Sequence, residues 1–349
     1  MGEKERFETA IASNIDDDAA YLVYADWLQE RGDPRGELIM LQHRQHDDAA
    51  NALLIRHANH FYGALAARPD LIDATWHLGF LRSCRFSLDS DHGPGHEQRA
   101  LAALEELLLL PSARFIRDLS IGVMNVPYNS YRSAIAVLAG HDLRSLERVA
   151  LGEGIEHTKS NLADAFTTEI GPTRQLYSVA PNLRSMILRS TEDDPDLDGI
   201  ALPRLSELRV SGAGSGQWLS TFLRTPLPEL VTLELTGRFA VEDEVWTPLL
   251  SGVNFPKLRH LALGIRASLE GRAGALIANA RILRQLHTLD LSKTGLGETD
   301  VDALIASGSA FAHLQKLDLG LVWDMPGPDE HAALMRLCAK VDYYSLSPG

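Results

Sequence analysis

One phrase, L-x-x-L-x-L, recurs along the chain, and it constrains the fold more than any other feature. Each copy must adopt the same local structure and pack on the next. The clearest copies are Leu205-Ser-Glu-Leu208-Arg-Val210, Leu230-Val-Thr-Leu233-Glu-Leu235, Leu258-Arg-His-Leu261-Ala-Leu263, Leu286-His-Thr-Leu289-Asp-Leu291 and Leu314-Gln-Lys-Leu317-Asp-Leu319. Looser copies begin at Leu81 (with Cys84 and Phe86), Ile116 (Leu119, Ile121), Leu146 (Val149, Leu151), Leu183 (Met186, Leu188) and Val341 (Tyr344, Leu346). The last four steps between copies are 28, 28, 28 and 27 residues, whereas the earlier steps run from 22 to 37. Irregular early steps imply insertions, at residues 87–96, 123–131 and 191–198.

Within the phrase the last two apolar residues alternate, as on a strand with one buried face. Many copies carry a further apolar residue three positions earlier: Leu143, Leu202, Leu227, Phe255, Leu283 and Phe311. Helical spacing fills the intervals, over 97–110, 217–224, 241–250, 268–283, 298–307 and 329–340. One strand plus one helix cannot close a core, but stacked copies can. The pattern resembles the leucine-rich repeat in its longer form, over roughly residues 78–349. That implies an α/β solenoid of about ten parallel strands with helices outside and an inner arc of about 45 Å, ending on a strand at 341–346. The family usually places Asn or Cys three residues after the phrase. Here Thr294, Ala213, Arg238, Arg266 and Val322 stand there, so the usual side-chain ladder is expected to be largely absent.

Residues 1–75 lack the phrase and read as a small all-α domain, with the solenoid spanning 76–349. Phe7 and Ile11, then Tyr21, Leu22, Tyr24, Ala25 and Leu28, have helical spacing. Asp16-Asp17-Asp18 supplies an N-cap and an acidic first turn, and Gly32-Asp33-Pro34 stops that helix. Further helices are expected from Arg35 through Leu41 and over about 49–66. The stretch Leu22-Val-Tyr-Ala-Asp-Trp-Leu-Gln-Glu-Arg-Gly-Asp-Pro-Arg-Gly-Glu-Leu38 is similar to the repeat-companion domain of bacterial proteins, without gaps over roughly residues 7–42. The resemblance implies a bacterial source and carries no activity with it. Asp26, Arg31, Asp33, Arg35 and Glu37 are expected to hold a turn through local ion pairs, or else to form a docking surface. The segment is expected to cap the solenoid, with residues 45–75 on the first strand and Trp76 at the seam.

Several function classes are disfavoured. The net charge of −14 and pI near 5.4 argue against duplex nucleic acid or an anionic membrane as partner. Two cysteines, Cys84 and Cys338, build neither a disulfide framework nor a four-thiolate zinc site. No apolar run is long enough to span a bilayer, and the first residues lack a signal-peptide pattern. A soluble, cytoplasmic protein is expected.

Gly212-Ala-Gly214-Ser-Gly216 follows a strand and precedes a helix, with Glu234 about twenty residues on. This imitates a dinucleotide fingerprint, but Gln217 occupies the third glycine's place and a solenoid turn is the reading. Asp194-Pro-Asp196-Leu-Asp198-Gly199 matches half of a calcium loop. Leu205 stands where the final Glu should be, so a solvated acidic insertion is expected and calcium binding stays open. The pairs His43/His46, His57/His60 and His92/His96 are expected to be exposed, not metal-bound. Nucleophile-elbow, Walker and kinase motifs are absent, and Cys84 is expected buried and inert.

The favoured function is therefore non-enzymatic protein–protein interaction without cofactor or metal, as a scaffold, inhibitor or proteolytic target in a bacterial regulatory or defence pathway. This is an analogy from fold to function; the alternative is an effector or enzyme subunit with an unrecognised active site. On each strand the second, third, fifth and seventh phrase positions should face the concave side, where a partner is expected to bind, because side chains alternate about the buried leucines. In the first five copies these hold Arg82, Arg85, Arg117, Arg148, Arg184, Arg189 and Arg209 against Asp118, Glu147 and Glu207. In the last five they hold Arg259 and Lys316 against Glu234, Asp290, Asp318 and Asp342. Either this is an ordinary solvated face, or its arginine-rich half receives an acidic segment of a partner protein.

Overall fold

In a computed structural model of the chain, residues 2–88, 95–125, 128–152, 167–191, 194–239, 241–265, 269, 271–322 and 326–345 are described. Two compact units divide it: residues 1–166 with 178–182, and residues 167–177 with 183–349. His92 of the third histidine pair, and parts of all three expected insertions, lie outside the described residues.

The first unit opens with helices α1 (Glu3–Ser13), α2 (Asp18–Gln29), α3 (Pro34–His43), α4 (Asp47–Arg56) and α5 (Ala58–Tyr62). Asp17 caps α2 by accepting a hydrogen bond from the Ala19 amide at 3.1 Å. Asp33 caps α3 through the Arg35 amide at 2.8 Å, with Pro34 in the first helical turn. The helix expected over 49–66 breaks at His57 and ends at Gly63, which has a φ of +57°. A hairpin follows, β1 (Ile72–His77) antiparallel to β2 (Phe80–Phe86). Its two-residue turn puts both Leu78 (φ +43°) and Gly79 (φ +82°) in the left-handed region, as tight hairpins require. Leu78 tolerates this while buried with Ile11, Tyr21, Tyr24, Ala25, Leu28, Ile39, Phe80 and Phe115. That cluster joins α1–α3 to the hairpin. A second cluster, Leu38, Ala50, Leu53, Leu54 and Phe61, packs against Trp76, whose indole N–H donates to the Tyr62 hydroxyl at 2.9 Å.

The turn between α2 and α3 carries a local ion pair, Arg31 with Glu30 at 3.6 Å, beside contacts to more distant residues. Arg31 reaches Glu3 at 3.2 Å, and His60 lies 3.1 Å from Asp33. Arg35 is buried: its guanidinium donates to the Gly79 carbonyl at 2.5 Å and to Ser112 Oγ at 3.1 Å, and it lies 4.9 Å from the centre of the Phe80 ring.

Strands β3 (Asp118–Ile121) and β4 (Arg148–Leu151) extend this sheet in parallel, with Cys84, Leu119 and Val149 in one register row and Phe86, Ile121 and Leu151 in the next. Helices α6 (His96–Leu109) and α7 (Arg132–Ala139) bury Leu104, Leu107, Ile135 and Leu138.

The second unit repeats the arrangement over seven parallel strands in chain order. They are β5 (Ser185–Arg189), β6 (Glu207–Gly214), β7 (Thr232–Phe239), β8 (His260–Ile265), β9 (Thr288–Asp290), β10 (Lys316–Val322) and β11 (Val341–Ser345). Met186, Leu208, Leu233, Leu261, Leu289, Leu317 and Val341 form one continuous row. Each is at most 6% exposed, and full burial of such a side chain contributes about 2 kcal/mol. Short helices connect the strands, among them Gln217–Phe222, Ala273–Ala278 and Glu298–Ala306.

All ten phrase copies are therefore strands, and the fold is a leucine-rich-repeat α/β solenoid with an all-helical N-terminal region. The hairpin partner β1 was not foreseen. Thr294, at the family's ladder position, is fully buried and donates to the Leu263 carbonyl of the preceding repeat at 2.6 Å, which supplies one rung.

Candidate functional site

Alternation about the leucine rows places charged residues on the opposite, solvent side of the strands. In the first unit, Ser83, Asp118 and Arg148 form one row there. Arg148 pairs with Asp118 at 2.8 Å. Just before it in the chain run Arg82, Arg117 and Glu147, tied by backbone bonds from Arg117 N to Arg82 O and from Glu147 N to Arg117 O. Arg117 bonds Glu147 at 2.6 Å and also bonds Asp16, a residue of the α1–α2 turn; Asp16 lies 3.6 Å from Arg82. Burial alone would raise the Asp16 pKa. The hydrogen bond and charge of Arg117, with Arg82, outweigh that and hold the carboxyl below its usual range. Arg117 is the converse: burial lowers its pKa, and Glu147 and Asp16 more than reverse the effect. Arg85 completes the arginine set of this unit, near the backbone of Gly122.

In the second unit, Arg209, Glu234, Ala262, Asp290, Asp318 and Asp342 form a single row across β6–β11. Arg209 pairs with Glu207 at 2.7 Å and with Glu234 at 3.6 Å. Glu207 also accepts from Ser185 Oγ at 2.6 Å. Lys316 bridges Asp318 at 2.9 Å and Asp342 at 3.2 Å. Two lysines absent from the expected set join the row: Lys293 lies 3.6 Å from Glu234, and Lys340 lies 3.3 Å from Asp342. Asp290 accepts the Ser292 amide at 2.8 Å. Arg184 and Arg189 flank the row at the start of the unit, on the phrase beginning at Leu183; the Nε of Arg189 is buried without a hydrogen-bond partner. His260 Nδ1 lies 2.9 Å from Thr288 Oγ1 in the neighbouring row.

Much of this charge is thus neutralised within each unit, strand to strand. Asp16 was beyond sequence reasoning, because 101 residues separate it from Arg117. Lys293 and Lys340 fall just outside the phrase positions counted.

The other chemistry considered resolves locally. The glycine-rich turn is filled by the chain's own Asp194, whose carboxylate accepts from Ser215 N (3.1 Å), Ser215 Oγ (2.5 Å) and Gly216 N (3.1 Å). A Cβ on Gly214 would stand 2.2 Å from Asp194 Oδ1. Asp194 is thereby committed away from Asp196, which faces Arg174 at 3.5 Å. Among the described residues no group of three His, Cys, Asp or Glu side chains could hold a metal ion. Cys84 is buried, and burial pushes its thiol up to about 12. Among the described residues no helix is long and apolar enough to cross a membrane.

No family model matches the chain, and no curated protein matches it. Among solved structures, that of a protein from Bacteroides fragilis is similar at a TM-score of 0.57 and 18% identity, over 72% of this chain and 72% of that one. An internalin from Listeria monocytogenes aligns at a TM-score of 0.33 and 15% identity, over 69% of this chain and 70% of its own. The first likeness is one of fold.

Proposed function

We propose that the protein is a non-enzymatic, cytoplasmic recognition module of a bacterial regulatory or defence pathway, binding a partner protein on the solvent face of its strands. Residues 1–75 act as a repeat-companion domain that caps the first repeats. The observation that carries this reading is the in-register array of half-exposed polar side chains set over an unbroken row of buried leucines. A rigid backbone presents these side chains at a fixed strand spacing, and nothing in the packing of the core dictates their identity. Arg82, Arg85, Arg117, Arg148, Arg184, Arg189 and Arg209 receive carboxylates of the partner, while Glu234, Asp290 and Asp318 meet its basic groups.

The test is charge reversal. Arg85→Glu, Arg148→Glu and Arg209→Glu together should abolish recovery of the partner from native cells. Reversing three charges on the outer helices should leave recovery intact. The exposed pairs lost are worth about 0–1 kcal/mol each, so thermal unfolding should shift only slightly. Recovery unchanged at moderate salt would exclude the arginine set as the binding surface.

A further inference from the structure

Three consecutive acidic residues open α2, and each has a different task. Asp17 caps the helix. Asp18 lies 3.8 Å from His43 and 3.9 Å from His77. Asp16 alone turns to the strand face, to Arg82 and Arg117. We propose that Asp16 is a built-in competitor, occupying the place on the Arg82–Arg117 pair that a carboxylate of an acidic partner peptide takes on binding. The proposal rests on the acidic-partner reading above and adds its regulation.

The geometry supplies three reasons. First, Arg82 on β2 and Arg117 just before β3 are adjacent like charges, with Arg117 N bonded to Arg82 O at 3.0 Å. Glu147 bonds Arg117, and Asp16 brings a carboxylate within reach of both guanidinium groups, which offsets their mutual repulsion. Second, the turn bearing Asp16 is fixed. Ile11 and Tyr21 on either side are buried in the core, and the Tyr21 hydroxyl donates to the Ile15 carbonyl at 3.1 Å. The carboxylate is therefore held at the arginines and leaves by side-chain rotation alone. Third, the contact is open to exchange from the carboxylate side: the Asp16 side chain is 64% exposed, against 36% for Arg82 and 14% for Arg117, and ion pairs with an exposed partner are weakened by solvent and salt. A peptide bringing several carboxylates displaces one, at the cost of the Asp16 contacts to Arg82 and Arg117.

Binding of a fluorescein-labelled oligoglutamate peptide to the full chain at low salt, followed by anisotropy, tests this. Asp16→Asn should tighten binding by about threefold to fivefold, the upper part of the range expected for removing one competing surface charge. Asp17→Asn removes an equal charge from the same turn and should change binding by less than about twofold. In an Arg117→Gln background the Asp16→Asn gain should vanish. Should Asp16→Asn fail to fold, Asp16→Ser carries the same comparison. Unchanged or weaker binding by Asp16→Asn, or a gain matched by Asp17→Asn, overturns the proposal. If wild type binds, Arg85→Gln and Arg148→Gln weaken it, and Asp16→Asn is without effect, the competitor falls and the acidic-partner reading stands. If neither wild type nor Asp16→Asn binds the peptide, both fall.

Discussion

Arg35 is a buried side chain through which the helical segment grips the hairpin, beside Gln42, whose Oε1 accepts the Gly79 amide at 2.7 Å, and replacing Arg35 measures its share of that grip. Its guanidinium donates to the Gly79 carbonyl at the hairpin turn and to Ser112 and lies over the Phe80 ring, and its stem lies beside Gly79. Arg35→Ala removes a charge-assisted hydrogen bond worth about 1.5–3 kcal/mol and a desolvated cation–π contact of about 1–2 kcal/mol. It also opens a cavity where the stem packed. Against these stands the release of a buried charge, which costs several kcal/mol to desolvate; burial already depresses the Arg35 pKa, opposed by Asp33, Tyr24 and Glu8. The balance is a loss of about 2–4 kcal/mol for Arg35→Ala. Arg35→Met keeps the stem and carries no charge to desolvate, so it should cost only about 1 kcal/mol. Urea unfolding of the full chain, followed by fluorescence and circular dichroism, gives both values. An alanine variant as stable as wild type, or a methionine variant weaker than the alanine one, would refute the reasoning.

Three further outcomes are expected. Asp194→Ala strips the bonds to Ser215 and Gly216 and should lower stability by about 1–2 kcal/mol in denaturant titration. Gly237→Ala should be severe, about 3 kcal/mol or more, because φ is +138° and a Cβ would stand 1.8 Å from the Gly212 carbonyl oxygen; a melting temperature near wild type contradicts the close strand approach. The two thiols should separate. Cys84 stays unreactive to a disulfide reagent in the native protein while the partly exposed Cys338 reacts, and both react in guanidinium. Since burial raises the folded Cys84 pKa to about 12, its neutral form favours the fold below the unfolded thiol pKa. That contribution is lost as pH rises from the unfolded value through the folded one, so stability should fall between about pH 9 and 12 and Cys84→Ala should flatten the fall.

How much of this was legible in the sequence follows from which forces are local. The leucine rows were readable because burial on one strand face imposes a period of two, and stacking imposes the longer repeat. The cap within Asp16-Asp17-Asp18 was readable because a side chain satisfies amides within three residues. Strand β1 was not: Ile72, Ala74 and Trp76 alternate with Asp73, Thr75 and His77, but the run lies outside the repeated phrase, and its Leu78-Gly79 turn lacks the Asn-Gly or Asp-Gly signal. Leu78 accepts its left-handed conformation only because tertiary burial outweighs the strain. Arg35 read as a surface charge because its partners lie 44 and 77 residues away. The same holds for Asp16 on the candidate site. Counting strand positions found the arginines and could not find the carboxylate that another segment lays across them.

The central claim, that a partner protein docks on the solvent face of the strands, is tested most directly by site-specific photocrosslinking in native cells. A benzophenone amino acid placed at Ser83 or Thr232, both on that face, should capture the partner. The same group at Glu106 or Ala275, on the exposed sides of helices, should not. Capture from the helix positions with none from the strand positions would contradict the account.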